Sequence, residues 1–145
     1  MIWFRWENIK NDIFLDGVVK IDKNNFLPNK HLIEESIALF HSQVKWDGMF
    51  DIQTAEKRIQ NGEIVFILTH NGKVLGHTWY DMMWWYNIFI DKNRPDNITY
   101  KFCMHTFNEI EYDSLYGYTD YWNIKATKLF LKTGAEILHP LKVMF

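Results

Sequence analysis

A chain of 145 residues is the length of one domain, for which roughly 100–200 residues is usual, and it can bury one core without staples. Its 16 Lys and Arg against 18 Asp and Glu leave a net charge of −2, which excludes the cationic footprint of a nucleic-acid binder. The single cysteine, Cys103, excludes a disulfide framework and a multi-cysteine zinc site. The longest apolar runs, residues 64–68 and 82–86, fall far short of the ~20 residues that cross a bilayer, so no membrane partner is expected. Arg5, Glu7 and Lys10 interrupt the N-terminus where a signal peptide would be apolar. A reduced, cytoplasmic protein is the expectation.

No repeat, charge block or linker-like tract divides the chain, so residues 1–145 read as a single domain. Residues 1–6 and 17–21 are strand-like, and residues 24–29, with Pro28, read as a break. Over residues 30–44, Leu32, Ile33, Ile37, Leu39, Phe40 and Val44 recur at helical spacing. Residues 46–50 read as an aromatic loop. Asp51 or Thr54 can cap a second helix that runs to Gln60 and stops at Asn61-Gly62. Residues 64–69 and 74–80 form the clearest local signal, a hairpin in which Asn71-Gly72 suits the positive φ values of a tight turn. A further strand covers residues 85–90, and the polar segment 91–97 leads into a helix over 98–112. A short strand over 115–119, a helix over 123–132 with its stop at Thr133-Gly134, and a closing strand region over 136–145 complete the chain. This order predicts an α+β fold: a central mixed, mostly antiparallel sheet flanked by helices, with a meander running into a βαβ unit.

Several chemistries find no support in the spacing. The six histidines make no i,i+4 pair and no His-Glu-x-x-His, so no metal site is expected. The serines lack a Gly-x-Ser-x-Gly context, and Cys103, in mid-helix, reads as an inert packed thiol. Lys125, Lys128 and Lys132 read as a solvated helix face. Aromatic residues make up 17% of the chain, and some of them are expected to line a groove or a subunit contact, the latter in a homodimer. Trp84, Trp85 and Tyr86, the loop from Trp46 to Phe50, and Tyr116, Tyr118, Tyr121 and Trp122 are the candidates, with Trp85 and Tyr86 on opposite faces of their strand.

Residues 123–135 read Asn123-Ile-Lys-Ala126-Thr-Lys-Leu129-Phe130-Leu-Lys132-Thr-Gly134-Ala135. This resembles the late motif of the GNAT superfamily of acyl-CoA-dependent N-acyltransferases, Asn-x-x-Ala-x-x-Leu-Tyr-x-Lys-x-Gly-Phe. The hairpin between Gly62 and Gly76 is similar to the family's central one, and the likeness covers residues 55–135. The resemblance implies a three-layer fold and an N-acetyltransferase that moves an acetyl group from acetyl-CoA to an amine of a small molecule or protein. It implies that Arg94, Asn97, Ile98 and Thr99, at a helix start, hold the CoA pyrophosphate together with Asn123. It also implies that backbone groups of Ile88, Phe89 and Ile90 pair with the pantetheine amides. Tyr118 or Asp120, at the carboxyl end of a strand, then manages the proton, with Asp81 and His77 as further candidates.

The chain departs from the family pattern in several ways, one being that Tyr86 and Asn87 stand on the strand over 85–90 where many members hold a carboxylate base. Asn97 and Thr99 stand where the family carries two small residues, and Asp96 puts a carboxylate beside the expected phosphate site, where like charges repel. Phe130 stands where a tyrosine often serves as general acid. A non-catalytic protein that uses the same fold to bind a ligand or partner is the alternative those departures leave open.

Overall fold

In the computed structural model, which describes residues 1–45 and 50–138, the elements follow one another as β1 (Ile2–Glu7), β2 (Val18–Ile21), α1 (Phe26–Gln43), α2 (Ile52–Gln60), β3 (Ile64–His70), β4 (Lys73–Asp81), β5 (Trp84–Ile90), α3 (Ile98–Glu109), β6 (Ser114–Thr119), α4 (Ile124–Lys132) and β7 (Glu136–Ile137). The hairpin of β3 and β4 forms as its turn chemistry dictates, with φ of 52° at Asn71 and 78° at Gly72. The strands assemble in the order β2-β3-β4-β5-β6-β1-β7. Every neighbouring pair is antiparallel except β5 and β6, which the α3 crossover joins in parallel.

The N-terminal residues therefore supply two strands at different places. β2 extends the outer edge of β3, and β1 lies between β6 and β7, with Ile2 opposite Thr119 and Glu7 opposite Ser114. A strand-like pattern sets the conformation of such a segment but not its partner, which is why neither placement is readable from it.

The run Val65-Phe66-Ile67-Leu68 is apolar throughout because β3 is buried on both faces. Val65 and Ile67 pack with Ile33 and Ile37 of α1 and with Ala55 and Ile59 of α2. Phe66 and Leu68 face the other way, into a core with Phe102 and Phe107 of α3 and Phe130 of α4. The result is three layers, with α1 and α2 on one face of the sheet and α3 and α4 on the other.

Three boundaries differ from the sequence reading. α1 starts at Phe26, not residue 30, because a first-turn proline lacks only an N–H that would have no helical partner. α3 stops at Glu109, short of residue 112. There Lys10 Nζ donates to the carbonyls of Phe107, Ile110 and Tyr112, satisfying acceptors that the helix end leaves free. β7 is two residues long. Most of the predicted loop over 46–50 and the end of the closing strand region, residues 139–145, lie outside the described residues.

Candidate active site

β5 and β6 run side by side but share one bridged pair, Trp84 opposite Tyr116. Two local features part them. On β4, Trp79 faces Asn87 while the next residue, Tyr80, faces Trp85, so Tyr86 is an extra residue, a β-bulge that bends β5. At Gly117 of β6 a Cβ would sit 3.0 Å from the Trp85 carbonyl oxygen and 3.1 Å from the Trp6 ring, so glycine permits the close approach just before the strands diverge. Beyond this point Ile88, Phe89 and Ile90 stay paired with β4 along one edge, and β6 is absent from the other.

On the α3/α4 face, the parting opens into a cavity of about 520 Å³, within the ~300–1,000 Å³ typical of ligand pockets. Ile88, Ile90, Ala126 and Leu129 form its apolar wall, while Arg94, Lys125 and Lys128 supply its charge. Among the described residues no carboxylate lines it, and Asp96 is exposed and not part of its wall. Lys125 and Lys128 thus border a cavity rather than a merely solvated helix face.

The first turn of α3 stands at this cavity with Thr99 in the wall. Asn97 takes the left-handed conformation, φ 63°, which asparagine tolerates better than most residues. Its side chain does not cap α3; its Oδ1 instead accepts a hydrogen bond from Lys132 Nζ at 2.9 Å. The first-turn N–H groups therefore have no side-chain cap, the state in which a helix start attracts an anion. α4 differs, because Asn123 Oδ1 accepts from the Ala126 N–H at 3.1 Å. Asn123 is thus both the N-cap of α4 and part of the cavity wall.

The remaining predicted residues fall in distinct places. Phe89 points to the opposite face, against Phe40 at 5.3 Å and His77 at 5.6 Å, so only its backbone borders the parting. Ile98 is buried in the core. Asp120 is exposed in the turn before α4, where its carbonyl accepts from the Asn123 N–H at 3.0 Å, and it lines neither cavity described here. Phe130 is a core ring, edge-on to Phe4 at 5.0 Å and Trp6 at 5.1 Å. The Cys103 thiol is fully buried, and that burial pushes its pKa up, which makes it inert. Among the described residues no group of three or more His, Cys, Asp or Glu is arranged to hold a metal ion.

Tyr118 belongs to a second cavity, of about 330 Å³, lined by Arg58, Glu63, Asp81, Trp84, Tyr86 and Tyr118. It lies on the α1/α2 face. Leu115 and Gly117 of β6 turn toward Trp6 on the α3/α4 side, so alternation sends Tyr116 and Tyr118 the other way, where Tyr118 meets Trp3 at 5.0 Å. Trp85 packs in the α3/α4 core while Tyr86 enters this cavity, the opposite orientations expected of them. The Tyr86 hydroxyl donates to Glu63 Oε1 and accepts from Arg58 Nη1 at 3.2 Å. Burial first, and then the Glu63 carboxylate, pushes the Tyr86 phenol up, so it stays protonated. The Arg58 guanidinium stacks over the rings of Phe50 and Tyr86, 5.8 and 5.6 Å from their centroids.

Sequence patterns do not reveal Arg58 or Glu63 as site residues. They lie in the last turn of α2 and in the turn before β3, with no motif between them, and only the bulge at Tyr86 brings the phenol to them. The two cavities thus lie on opposite faces of the sheet at a single parting of β5 and β6.

No protein-family model matches the chain, and no curated protein sequence matches it. Solved structures do. An aminoglycoside acetyltransferase from an uncultured soil metagenomic sample superposes with a TM-score of 0.57 at 18% identity, over 80% of this chain and 85% of that one. A GNAT-family protein from Novosphingobium aromaticivorans gives 0.63 at 9% identity over 95% of this chain, which spans only 59% of that larger protein. A ribosomal-protein-alanine N-acetyltransferase from Brucella melitensis gives 0.58 at 15% identity, over 82% and 91% of the two chains. Identities this low carry architecture and not substrate. The chain shares its overall architecture with these proteins and is a divergent protein of the GNAT fold.

Proposed function

We propose that the protein is an N-acetyltransferase that moves an acetyl group from acetyl-CoA to an amine of a small molecule or protein. The observation that carries this reading is the 520 Å³ cavity at the parting of β5 and β6, where the uncapped start of α3 meets three cations and no described carboxylate. Open helix N–H groups, the positive end of the helix dipole, and Arg94, Lys125 and Lys128 suit the phosphates of CoA. Ile88, Ile90 and Leu129 suit the apolar stretches of pantetheine, and the unpaired backbone edge of Ile88, Phe89 and Ile90 suits its amides. The residues present therefore fit the cosubstrate despite Asn97 and Thr99 at positions where the family carries small residues.

Acetyl-CoA, when bound, supplies an activated acetyl thioester. The protein's part is then to hold it at the parting and bring the amine from the opposite face. Orientation of that kind can contribute roughly 7–11 kcal/mol toward the barrier, so the absence of a phenol at Phe130 does not preclude transfer. Acetylation of aminoglycosides and of a ribosomal-protein alanine by fold neighbours supports an amine as the acceptor here. A cytoplasmic location goes with that cosubstrate.

Calorimetric titration with acetyl-CoA, with free CoA and ATP as comparison ligands, tests the reading. Micromolar one-to-one binding, tighter than that of ATP and weakened by Arg94→Ala, is the expected result. No heat and no thermal stabilisation at millimolar acetyl-CoA would overturn it.

A further inference from the structure

The turn into α4 carries three large apolar side chains that line neither cavity. Tyr121, Trp122 and Ile124 are 70%, 67% and 63% exposed, and the two rings meet edge-on at 5.1 Å. Elsewhere along the described chain, exposed apolar side chains of this size stand singly or in pairs. We propose that this turn and the outer face of α4 dock on an anionic phospholipid bilayer, with Tyr121, Trp122 and Ile124 seated among the headgroups. The inference goes beyond the acetyl-CoA reading and does not depend on it.

The helix sets the extent of this surface. Ile124, Lys125, Lys128, Leu131 and Lys132 are the exposed residues of α4, and their spacing places them on one face. The other side, with Leu129 and Phe130, packs into the core. A face that met only water would be polar throughout. This one sets Ile124 and Leu131 among three lysines and continues at its start into the Tyr121-Trp122 pair.

Charge identifies the class of partner. Residues 120–132 contain three lysines and one carboxylate, Asp120, so the surface is cationic although the whole chain has a net charge of −2. Lys132 is engaged with Asn97 and the Tyr100 ring and still contributes its charge. Each lysine near an anionic leaflet strengthens binding about fivefold. Tryptophan and tyrosine settle at headgroup level, where one end of the ring is apolar and the other wet. Lysine side chains extend past them to the phosphates. An apolar contact combined with a basic cluster supplies the two signals that surface binding requires. A protein partner fits less well, because the cores of protein interfaces are depleted in lysine. The contact is with the surface of one leaflet; among the described residues no helix is long and apolar enough to cross a membrane.

Co-sedimentation of the full chain with vesicles tests the proposal, using phosphatidylcholine alone and phosphatidylcholine with about 30% phosphatidylglycerol. Binding at least about tenfold tighter to the anionic vesicles is expected. It should weaken as ionic strength rises from about 0.1 to 1 M, over which the Debye length falls from about 10 to 3 Å. Tyr121→Ser combined with Trp122→Ser should cut binding at least about tenfold and leave the urea midpoint unchanged, because both rings are exposed. Lipids brominated along their acyl chains should quench tryptophan fluorescence in the native protein and much less in Trp122→Phe. Failure to bind anionic vesicles, or equal binding to both kinds, overturns the proposal. So does binding that persists in the double variant, or quenching that Trp122→Phe leaves unchanged. Self-association in light scattering that the double variant abolishes, without vesicle binding, would assign the surface to a second copy of this chain instead.

Discussion

Lys132 Nζ donates to Asn97 Oδ1 at 2.9 Å and stands 4.8 Å from the Tyr100 ring centroid, tying the last turn of α4 to the first turn of α3. The bond engages a side chain that could otherwise compete for the open amides of α3. It also explains how a chain without glycine at this position keeps a helix start available to an anion: left-handed asparagine supplies the backbone turn, and lysine draws its side chain away.

Asn97 separates these two contributions. Asn97→Gly should keep stability near that of the native protein, since glycine adopts a φ of 63° without strain. Asn97→Ala should cost about 1 kcal/mol in urea unfolding, because a Cβ is strained in the left-handed region. Equal losses in the two variants would assign the cost to the missing Lys132 bond instead of the backbone.

The cations of the α3/α4 cavity should act through screened charge. Arg94→Ala and Lys128→Ala are each expected to weaken acetyl-CoA binding by a few-fold, about 1 kcal/mol or less, as exposed ion pairs do. The effect should shrink as salt is raised toward 1 M, where the Debye length falls to about 3 Å. Titrations at two ionic strengths check both expectations, and salt-independent losses would point to lost packing instead.

Phe130→Tyr is the substitution that the family motif suggests, and the structure predicts that it fails. Phe130 is 6% exposed among Phe4, Trp6 and Trp85, where a new hydroxyl must be buried in a ring cluster. The expected outcome is a loss of about 1–3 kcal/mol in stability, with no gain in kcat. A faster enzyme of undiminished stability would show that this position reaches the reacting atoms.

Stability should fall on mild acidification. Burial pushes the His77 imidazole down to about 4, with its Nδ1 2.6 Å from Ser36 Oγ, whereas an unfolded chain titrates near 6.5. Above pH ~6.5 neither state carries the proton. Between pH ~6.5 and ~4 the unfolded chain takes it up and the folded one does not, so stability declines by up to about 1.4 kcal/mol per pH unit. Burial shifts His105 in the same direction, its Nδ1 accepting from the Leu15 N–H at 3.0 Å. Urea midpoints measured across this window should show the decline, and His77→Asn should flatten it in part. An unchanged slope in the variant would place the acid sensitivity elsewhere.

Much of the lining of the α3/α4 cavity was legible in the sequence because its residues cluster in two short stretches. Arg94 and Thr99 flank one helix start, Asn123 stands at another, and Ile88 and Ile90 lie on a single strand, so local pattern and resemblance together find them. The turning of the Phe89 side chain to the opposite face was not legible at that level, since it depends on the bulge at Tyr86. The second cavity was illegible for a stronger reason: its six lining residues come from α2, the turn before β3, β4, β5 and β6.

Periodicity, turn chemistry and capping act between near neighbours in the chain. Local residue order is therefore enough to specify the hairpin at Asn71-Gly72, the Asp51 and Asn123 caps and the succession of helices and strands. Long-range packing sets the rest: β1 inserts between β6 and β7, β5 and β6 part after one bridged pair, and Glu63 meets Tyr86. Those outcomes depend on which distant strands satisfy each other's backbone groups and on where a bulge turns a ring, and neither is encoded in any local stretch of residues.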